Sequence, residues 1–317
     1  MRILLYILLF CFSFCHPSKE TLKFGANLWP GYEPFFIADA KGKFMEQPIH
    51  LVEFSSATEV IRSYRNDQIN SAGLTIDEVL YLKKYSKNPR IVMILDISNG
   101  ADILVAQSYI ENIQSLKGKK IGVENTALGA YMLYRFLESS NLKVDDIEVI
   151  HLEVHEQVEY FQSKKIDAVI TFFNKRAAFL SSKGKILFDS SQLKGEIMDV
   201  LLVEDSYLQK NRSTVKTFMK VWFDFLSSQA IYQEQYLDYI AKREGTTKSD
   251  IKESIQRLII PGVKENLEML VGKKKEFRYT AEKLALYMYE KKLVSERYEV
   301  SEIIDSSLLE EILIESK

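Results

Sequence analysis

The sequence predicts an α/β protein of two similar lobes, joined by a two-strand hinge and followed by a mostly helical tail. Short β-branched runs alternate with amphipathic stretches, the pattern that builds parallel sheets. The alternation comes in two series that share a local signature. "SYRNDQINSAGLT" (63–75) and "YFQSKKIDAVIT" (160–171) each end a helix in polar residues, pass through Ile and then Asn or Asp, and close an apolar strand with Thr. Two further strand-like runs, "ADILVAQ" (101–107) and "MDVLLVED" (198–205), bracket the second series, so that the chain leaves the first lobe and returns to it.

In chain order, Arg2 precedes the apolar run "ILLYILLFCFSFC" and the polar "HPSKE". At about 13 residues the run is too short for a bilayer of about 30 Å, and its flanks fit an export signal. Strands are read at 22–28, 49–54, 69–74 and 90–96, with helices beginning near Pro34, Ala57 and Ile76. The second series has strands at 119–124, 146–152 and 166–172, with helices beginning near Ala127 and His155. Residues 1–20 are thus signal and tether, 21–102 plus 204–317 the first lobe with its tail, and 103–203 the second lobe. The tail holds "STVKTFMKVWFDFLSSQAIYQEQ" and "TAEKLALYMYEKKL" at helical spacing, with Ser213 and Ser249–Asp250 as candidate caps. Phe218, Trp222, Phe225, Tyr287 and Tyr289 are read as packing of the first lobe.

Composition narrows the function. The 317 residues carry a net charge of −2 with both signs interspersed, so no basic stripe points to nucleic acid. Both cysteines, Cys11 and Cys15, lie in or at the edge of the apolar run, which leaves the body without a disulfide or thiol chemistry. The four histidines show no zinc spacing, and GxSxG, GxGxxG and GK[ST] motifs are absent. A binding protein without catalytic residues, metal or cofactor is expected.

Open α/β sheets place ligands beyond the carboxyl ends of their strands. After the first strand, "WPGYEP" holds Trp29 and Tyr32 in a turn shaped by Pro30 and Gly31. The rings could stack on a flat ligand or enclose an ammonium group, or could clasp the loop to its helix. Ser55 and Ser56 precede the second helix, where they could hold an anion or a carbonyl, or simply cap it. Thr75 stands before "IDEV", whose Asp77 and Glu78 suit the helix dipole. "DISNGAD" brings together Asp96, Ser98, Asn99, Gly100 and Asp102, acids that could bind an amine in a composition equally that of a turn. In the second lobe Asn125, Thr126 and Ala127 offer a helix start, and Phe173 and Asn174 are placed to close on the ligand from the opposite side.

"WPGYEPFFIADAKGKF", "SSATEVIRSYRNDQINSAGLTIDE", "DISNGAD", "SLKGKKIGVENTALGAYMLYRFLE" and "KIDAVITF" occur in the order and spacing of bacterial ABC-transporter solute-binding proteins. The branch they resemble serves nitrate, sulfonates, taurine and the pyrimidine precursor of thiamine, and the resemblance covers residues 21–230 closely. It implies a periplasmic-binding-protein fold of type II, a small solute captured in the cleft, and delivery to a membrane permease driven by a separate ATPase. Its binding loops map onto Trp29 and Tyr32, Ser55 and Ser56, Thr75, Ser98 to Asp102, Asn125 to Ala127, and Phe172 to Asn174. The leader is similar to a lipoprotein signal in which Cys15 becomes the lipidated first residue, although Phe14 stands where a small residue is usual. A monomer on the extracytoplasmic face of the membrane is expected. The acidic or neutral strand ends, with Arg176 the nearest cation, point away from a simple inorganic anion and toward a flat or amine-bearing organic solute. Two alternatives share the resemblance: a sensor docking on a membrane receptor, and a thiamine-pyrimidine synthase, whose Cys-rich motif and active-site His are not found here.

Overall fold

The computed structural model describes residues 20–315 apart from 86, 229–230, 232 and 273–275. The apolar run read as an export signal, and Cys15 with it, lies outside the described residues. Strands β1 (Leu22–Asn27), β2 (Ile49–Phe54), β3 (Ser71–Thr75) and β4 (Pro89–Ser98) alternate with helices α1 (Glu33–Ala40), α2 (Ala57–Arg65) and α3 (Ile76–Lys83). The second series comprises β5 (Asp102–Ala106), β6 (Lys120–Val123), β7 (Glu148–His151), β8 (Ala168–Phe172) and β9 (Lys185–Asp189), with α4 (Ala127–Ser139), α5 (Val154–Gln162) and α6 (Arg176–Leu180). Next come β10 (Met198–Glu204), α7 (Asp205–Lys210), α8 (Arg212–Ser227), α9 (Glu234–Glu244), α10 (Lys248–Ile255), β11 (Leu258–Ile259), α11 (Val263–Leu270), α12 (Glu276–Glu290) and α13 (Ser307–Glu315).

These strands form two sheets of the same plan. One has the order β11-β4-β10-β3-β1-β2 and the other β7-β6-β8-β5-β9. In each, three parallel strands (β2-β1-β3 and β7-β6-β8) are followed by an antiparallel strand that arrives from the other sheet, β10 or β5. The repeated signature at 63–75 and 160–171 therefore marks equivalent strands, β3 and β8. Strands β3 and β5 are buried along their whole length, as strands covered on both faces must be.

The sheets exchange the chain between Ser98 and Asp102 and again between Asp189 and Met198, so all of β10 lies in the first sheet, ahead of the 203/204 limit read from the sequence. The two crossovers are stitched together. Ser98 Oγ and Ser190 Oγ share a hydrogen bond of 2.7 Å, Gly100 N–H donates to Ser190 Oγ at 2.7 Å, and Ser98 N–H donates to Ile197 O at 3.0 Å. Gly100 has φ +102°, where a side chain would be strained and would meet the Arg257 guanidinium.

Tail helix α8 closes the first lobe. Its Phe218 stacks on Phe35 of α1 at 3.9 Å between centroids, Trp222 lies 4.7 Å from the same ring, and Phe24 of β1 lies 5.2 Å from Phe218. Other tail readings change. Asn211 and Thr247, not Ser213 and Ser249, occupy the N-cap positions, and the Thr247 hydroxyl accepts from Asp250 N–H at 3.1 Å. The long run from 213 breaks after Ser227, where the Ser227 and Ser228 hydroxyls bond back to Asp224 O and Phe225 O at 3.0 and 2.7 Å and compete with the helix. Tyr287 does not pack only its own lobe, since it meets Tyr131 of α4 edge-on at 5.5 Å, and Tyr289 is 46% exposed. Among the described residues no helix is long and apolar enough to cross a membrane.

Phe218→Ala is expected to destabilise the protein by about 3–5 kcal/mol, the usual cost of emptying a buried aromatic site. Urea unfolding measures it, and an unchanged midpoint would show that α8 does not hold the first sheet.

Candidate functional site

Where β3 and β4 end and β10 begins, three polar side chains stand side by side: Asp199 pairs with Thr75 on one side and with Asp96 on the other. An irregularity in the β10–β4 ladder falls just after Asp199, a feature that re-aims the side chain beside it. The loop after β1 folds over these acids. Tyr32 donates its hydroxyl to Asp199, and Trp29 Nε1–H donates to Asp96 Oδ2 at 3.1 Å. Two glycines make room: a Cβ on Gly73 would sit 2.9 Å from the Tyr32 ring, and one on Gly31 would sit 1.9 Å from Asp96 Oδ2. Trp29 also meets Phe172 of β8 edge-on, with centroids 5.4 Å apart, so the two lobes touch here.

Four more acids complete the cluster: Asp77 and Glu78 in the first turn of α3, Asp102 opening β5, and Glu124 directly after β6. With Asp96 and Asp199 they are all at least nine-tenths buried. Among the described residues none of the six has an ion-pair partner. Asp77 Oδ2, Glu78 Oε1, Asp96 Oδ1, Asp102 Oδ2 and Glu124 Oε1 also lack any hydrogen-bond partner. Burial therefore raises every one of these carboxyls, and mutual repulsion adds to it for most. Asp77 and Asp96 are pushed up to about 7, with Asp102 the adverse charge beside each, and Asp102 itself to about 6. Glu124 rises to about 8, with Glu153 as its adverse neighbour. Glu78 and Asp199 also rise, chiefly by burial, helped by Asp77 and Glu124 in one case and by Asp96 and Asp102 in the other.

The structure places the residues singled out from the sequence in different settings. Trp29, Tyr32, Thr75 and Asp102 are in the cluster, and Glu78 caps α3 by accepting Thr75 N–H at 3.1 Å. Ser56 and Thr126 are N-caps, accepting from Glu59 N–H and Gly129 N–H at 3.4 and 3.0 Å. Ser55 is exposed with its hydroxyl on Glu59 at 2.9 Å, and Asn125 is exposed beside a surface cavity lined by Arg62, Arg65, Tyr81 and Tyr85. Ser98 belongs to the crossover stitch. Phe173 is buried among second-lobe apolar residues and is sandwiched between the guanidiniums of Arg176 and Arg257, each 3.9 Å from its centroid; Phe172, one residue earlier, is the ring that reaches Trp29. Asn174 donates to Glu244 of α9 at 2.8 Å, and Arg176 pairs with Asp250 and Glu253 of α10 at 3.0 and 2.8 Å, so this segment clamps the second lobe to the tail. Asp199 and Glu124 escaped the sequence reading. A lone acid inside "MDVLLV" and another at the end of "KKIGVE" were the available signals.

Stability should fall with pH. The unfolded carboxyls titrate near about 4, whereas the folded ones stay protonated up to about 6 for Asp102 and about 8 for Glu124. The folded chain thus holds protons that the unfolded chain has lost, and the stability present at acid pH is lost as pH rises through the folded values. The ligand-free protein is expected to melt at lower temperature at pH 8 than at pH 5.5, with a smaller drop for Asp96→Asn. A flat melting profile would show that the acids are already ionised.

The description of the NMT1-like family matches residues 16–243 of this chain. The taurine-binding periplasmic protein of Escherichia coli (strain K12) is 21% identical over 231 residues, covering 69% of this chain and 72% of that protein. The alkanesulfonate-binding protein SsuA from Xanthomonas axonopodis pv. citri, solved with MOPS, superposes with TM-score 0.74 at 15% identity over 90% of this chain and 98% of its own. The desulfurization enzyme DSZB superposes with TM-score 0.71 at 13% identity over 94% of this chain and 100% of its own. At such identities the superpositions speak for the fold alone, the two-lobed fold of periplasmic binding proteins. With the family pattern spanning most of its length and the two-sheet architecture beneath it, this chain belongs to the NMT1-like family.

Proposed function

We propose that the protein is the extracytoplasmic solute-binding component of an ABC importer, capturing a small organic solute with an amine-bearing part between its lobes. The observation that carries this reading is the group of buried carboxylates with free oxygens beneath Trp29 and Tyr32, at the point where Phe172 of the second lobe touches the first. Carboxylates and ring faces hold a cation. They do not hold a bare sulfonate or nitrate, which would need an Arg or Lys, and Arg176 is committed to Asp250 and Glu253. The relatives named for taurine and alkanesulfonates suggest solutes of that size, and the acids favour the amine end of such a molecule. The site is assigned binding rather than turnover, because its groups hold charge and shape.

The first lobe comprises 20–98 with 198–315 and the second 102–189, and the two crossovers allow the lobes to close over the ligand. Cys15 carries the lipid that keeps the protein at the membrane. Cys15→Ser should shift it from the membrane to the soluble extracytoplasmic fraction, and unchanged membrane retention would overturn the anchor.

Asp96→Asn and Asp102→Asn should each weaken the captured solute at least about tenfold, about 1.4 kcal/mol, while leaving melting at pH 8 unchanged or higher, because each removes a buried unpaired acid. Calorimetry against a panel of amines, heterocycles, sulfonates and nitrate checks this. Tight nitrate binding with no response to amines or heterocycles would overturn the reading.

A further inference from the structure

The free oxygens can be counted against what a ligand can donate. Asp77 and Glu78 come from α3, Asp96 from β4, Asp102 from β5 and Glu124 from the segment after β6, so both sheets contribute. Most of the protein's own donors are committed, Trp29 to Asp96 Oδ2, Tyr32 to Asp199, and Thr75 N–H to Glu78 Oε2, whereas the unpartnered Thr75 hydroxyl stands beside Asp77 and can serve it. An ammonium group has three N–H donors and a guanidinium five. With Asp77 served by Thr75, one ammonium leaves at least one of the four remaining buried acceptors bare, whereas a guanidinium or a pair of ammonium groups can serve them all.

We propose that the cleft selects an organic cation with more N–H donors than a single ammonium group, a diamine or a guanidine. This deepens the solute-binding reading and rests on it. The rings of Trp29, Tyr32 and Phe172 supply apolar walls for the methylene or flat part between the charges. The groups around the acids agree. Glu153 adds a further acid near Glu124. Tyr32 from the first loop and Tyr131 from α4 face the cluster as neutral phenols, and Tyr131 donates to Glu196 at 2.7 Å. Arg135, beyond Tyr131, is bound by Glu196 and Glu138. Thr58 of α2 meets Glu124 through its backbone. Among the described residues no group of acids, histidines and cysteines is arranged to hold a metal ion. Asp77, Asp96 and Asp102, raised to about 7, about 7 and about 6, bear a proton load that a cation would displace near neutrality.

The test is isothermal titration of the purified mature protein with diamines of three to five carbons, agmatine, propylamine, taurine, ethanesulfonate and a neutral aminopyrimidine. Titrations are run at pH 6 and pH 8, in two buffers of different ionisation enthalpy, after mass spectrometry of any solute the protein retains. A diamine or agmatine is expected to bind at least about tenfold more tightly than propylamine, more tightly at pH 8 than at pH 6, and with a buffer-dependent enthalpy that reports proton release. Glu124→Gln should lower both the affinity and the number of protons released. Equal affinity for propylamine overturns the inference. A sulfonate or the neutral aminopyrimidine as the bound or retained solute, with the diamines and agmatine inert, overturns it while leaving the solute-binding reading intact. No binding by any compound, with no solute retained, overturns both.

Discussion

Six carboxylic acids buried at the seam between two sheets, with no cation paired to them among the described residues, form the constraint on which the rest of this structure depends. An ionised carboxylate in such surroundings is costly, so the acids either keep their protons or receive a positive guest. The local architecture maintains this state. Trp29 and Tyr32 serve one oxygen each of Asp96 and Asp199 and leave Asp96 Oδ1 free. Gly31 and Gly73 lack the side chains that would push the loop off the acids. The aromatic turn after β1 is therefore a clasp through its polar edges, and the proposed ligand site would use its rings as a wall.

The acids meet because of the way the sheets exchange strands. β10 enters the first sheet antiparallel, which brings its amino end, and Asp199, beside the carboxyl ends of β3 and β4. β5 enters the second sheet in the same manner and brings Asp102 beside Phe172. Each lobe thus lends the other a strand start at the place where its own strands finish. The Ser98–Ser190 stitch ties the two crossovers, and the Asn174 and Arg176 contacts with α9 and α10 clamp the second lobe to the tail. Serines and an asparagine that resemble ligand groups in the sequence thereby become parts of the frame.

Much of the architecture was legible. β1, β2 and the starts of α2, α3 and α4 stand where the hydrophobic period put them, because each is a short apolar run followed at once by a helix start. β9 and β11 were not read, since "KILFD" and "LI" are short, sit among polar residues and become strands only by pairing with β5 and β4. The caps of α8 and α10 shifted by two residues because each start offers several polar candidates, Asn211 ahead of Ser213 and Thr247 ahead of Ser249, and the fold selects one. In the site, Trp29, Tyr32 and Asp102 were visible as chemistry at strand ends. Asp77 and Glu78 were read as dipole caps, which Glu78 also is, because a first-turn acid has the same sequence signature in either role.

By itself the sequence determined the two α/β series, the double crossing, the aromatic turn and the acidic bias of the strand ends, since all of these follow from local periodicity, turn chemistry and composition. Tertiary structure alone decided which acids share one buried volume. Asp199 and Asp96 lie about a hundred residues apart in the chain and become neighbours through an antiparallel strand pairing that no local pattern encodes. Tertiary structure also decided that Phe172 and not Phe173 meets the other lobe, because β8 ends at Phe172 and the helical turn over Phe173–Lys175 carries the Phe173 ring into the second-lobe core.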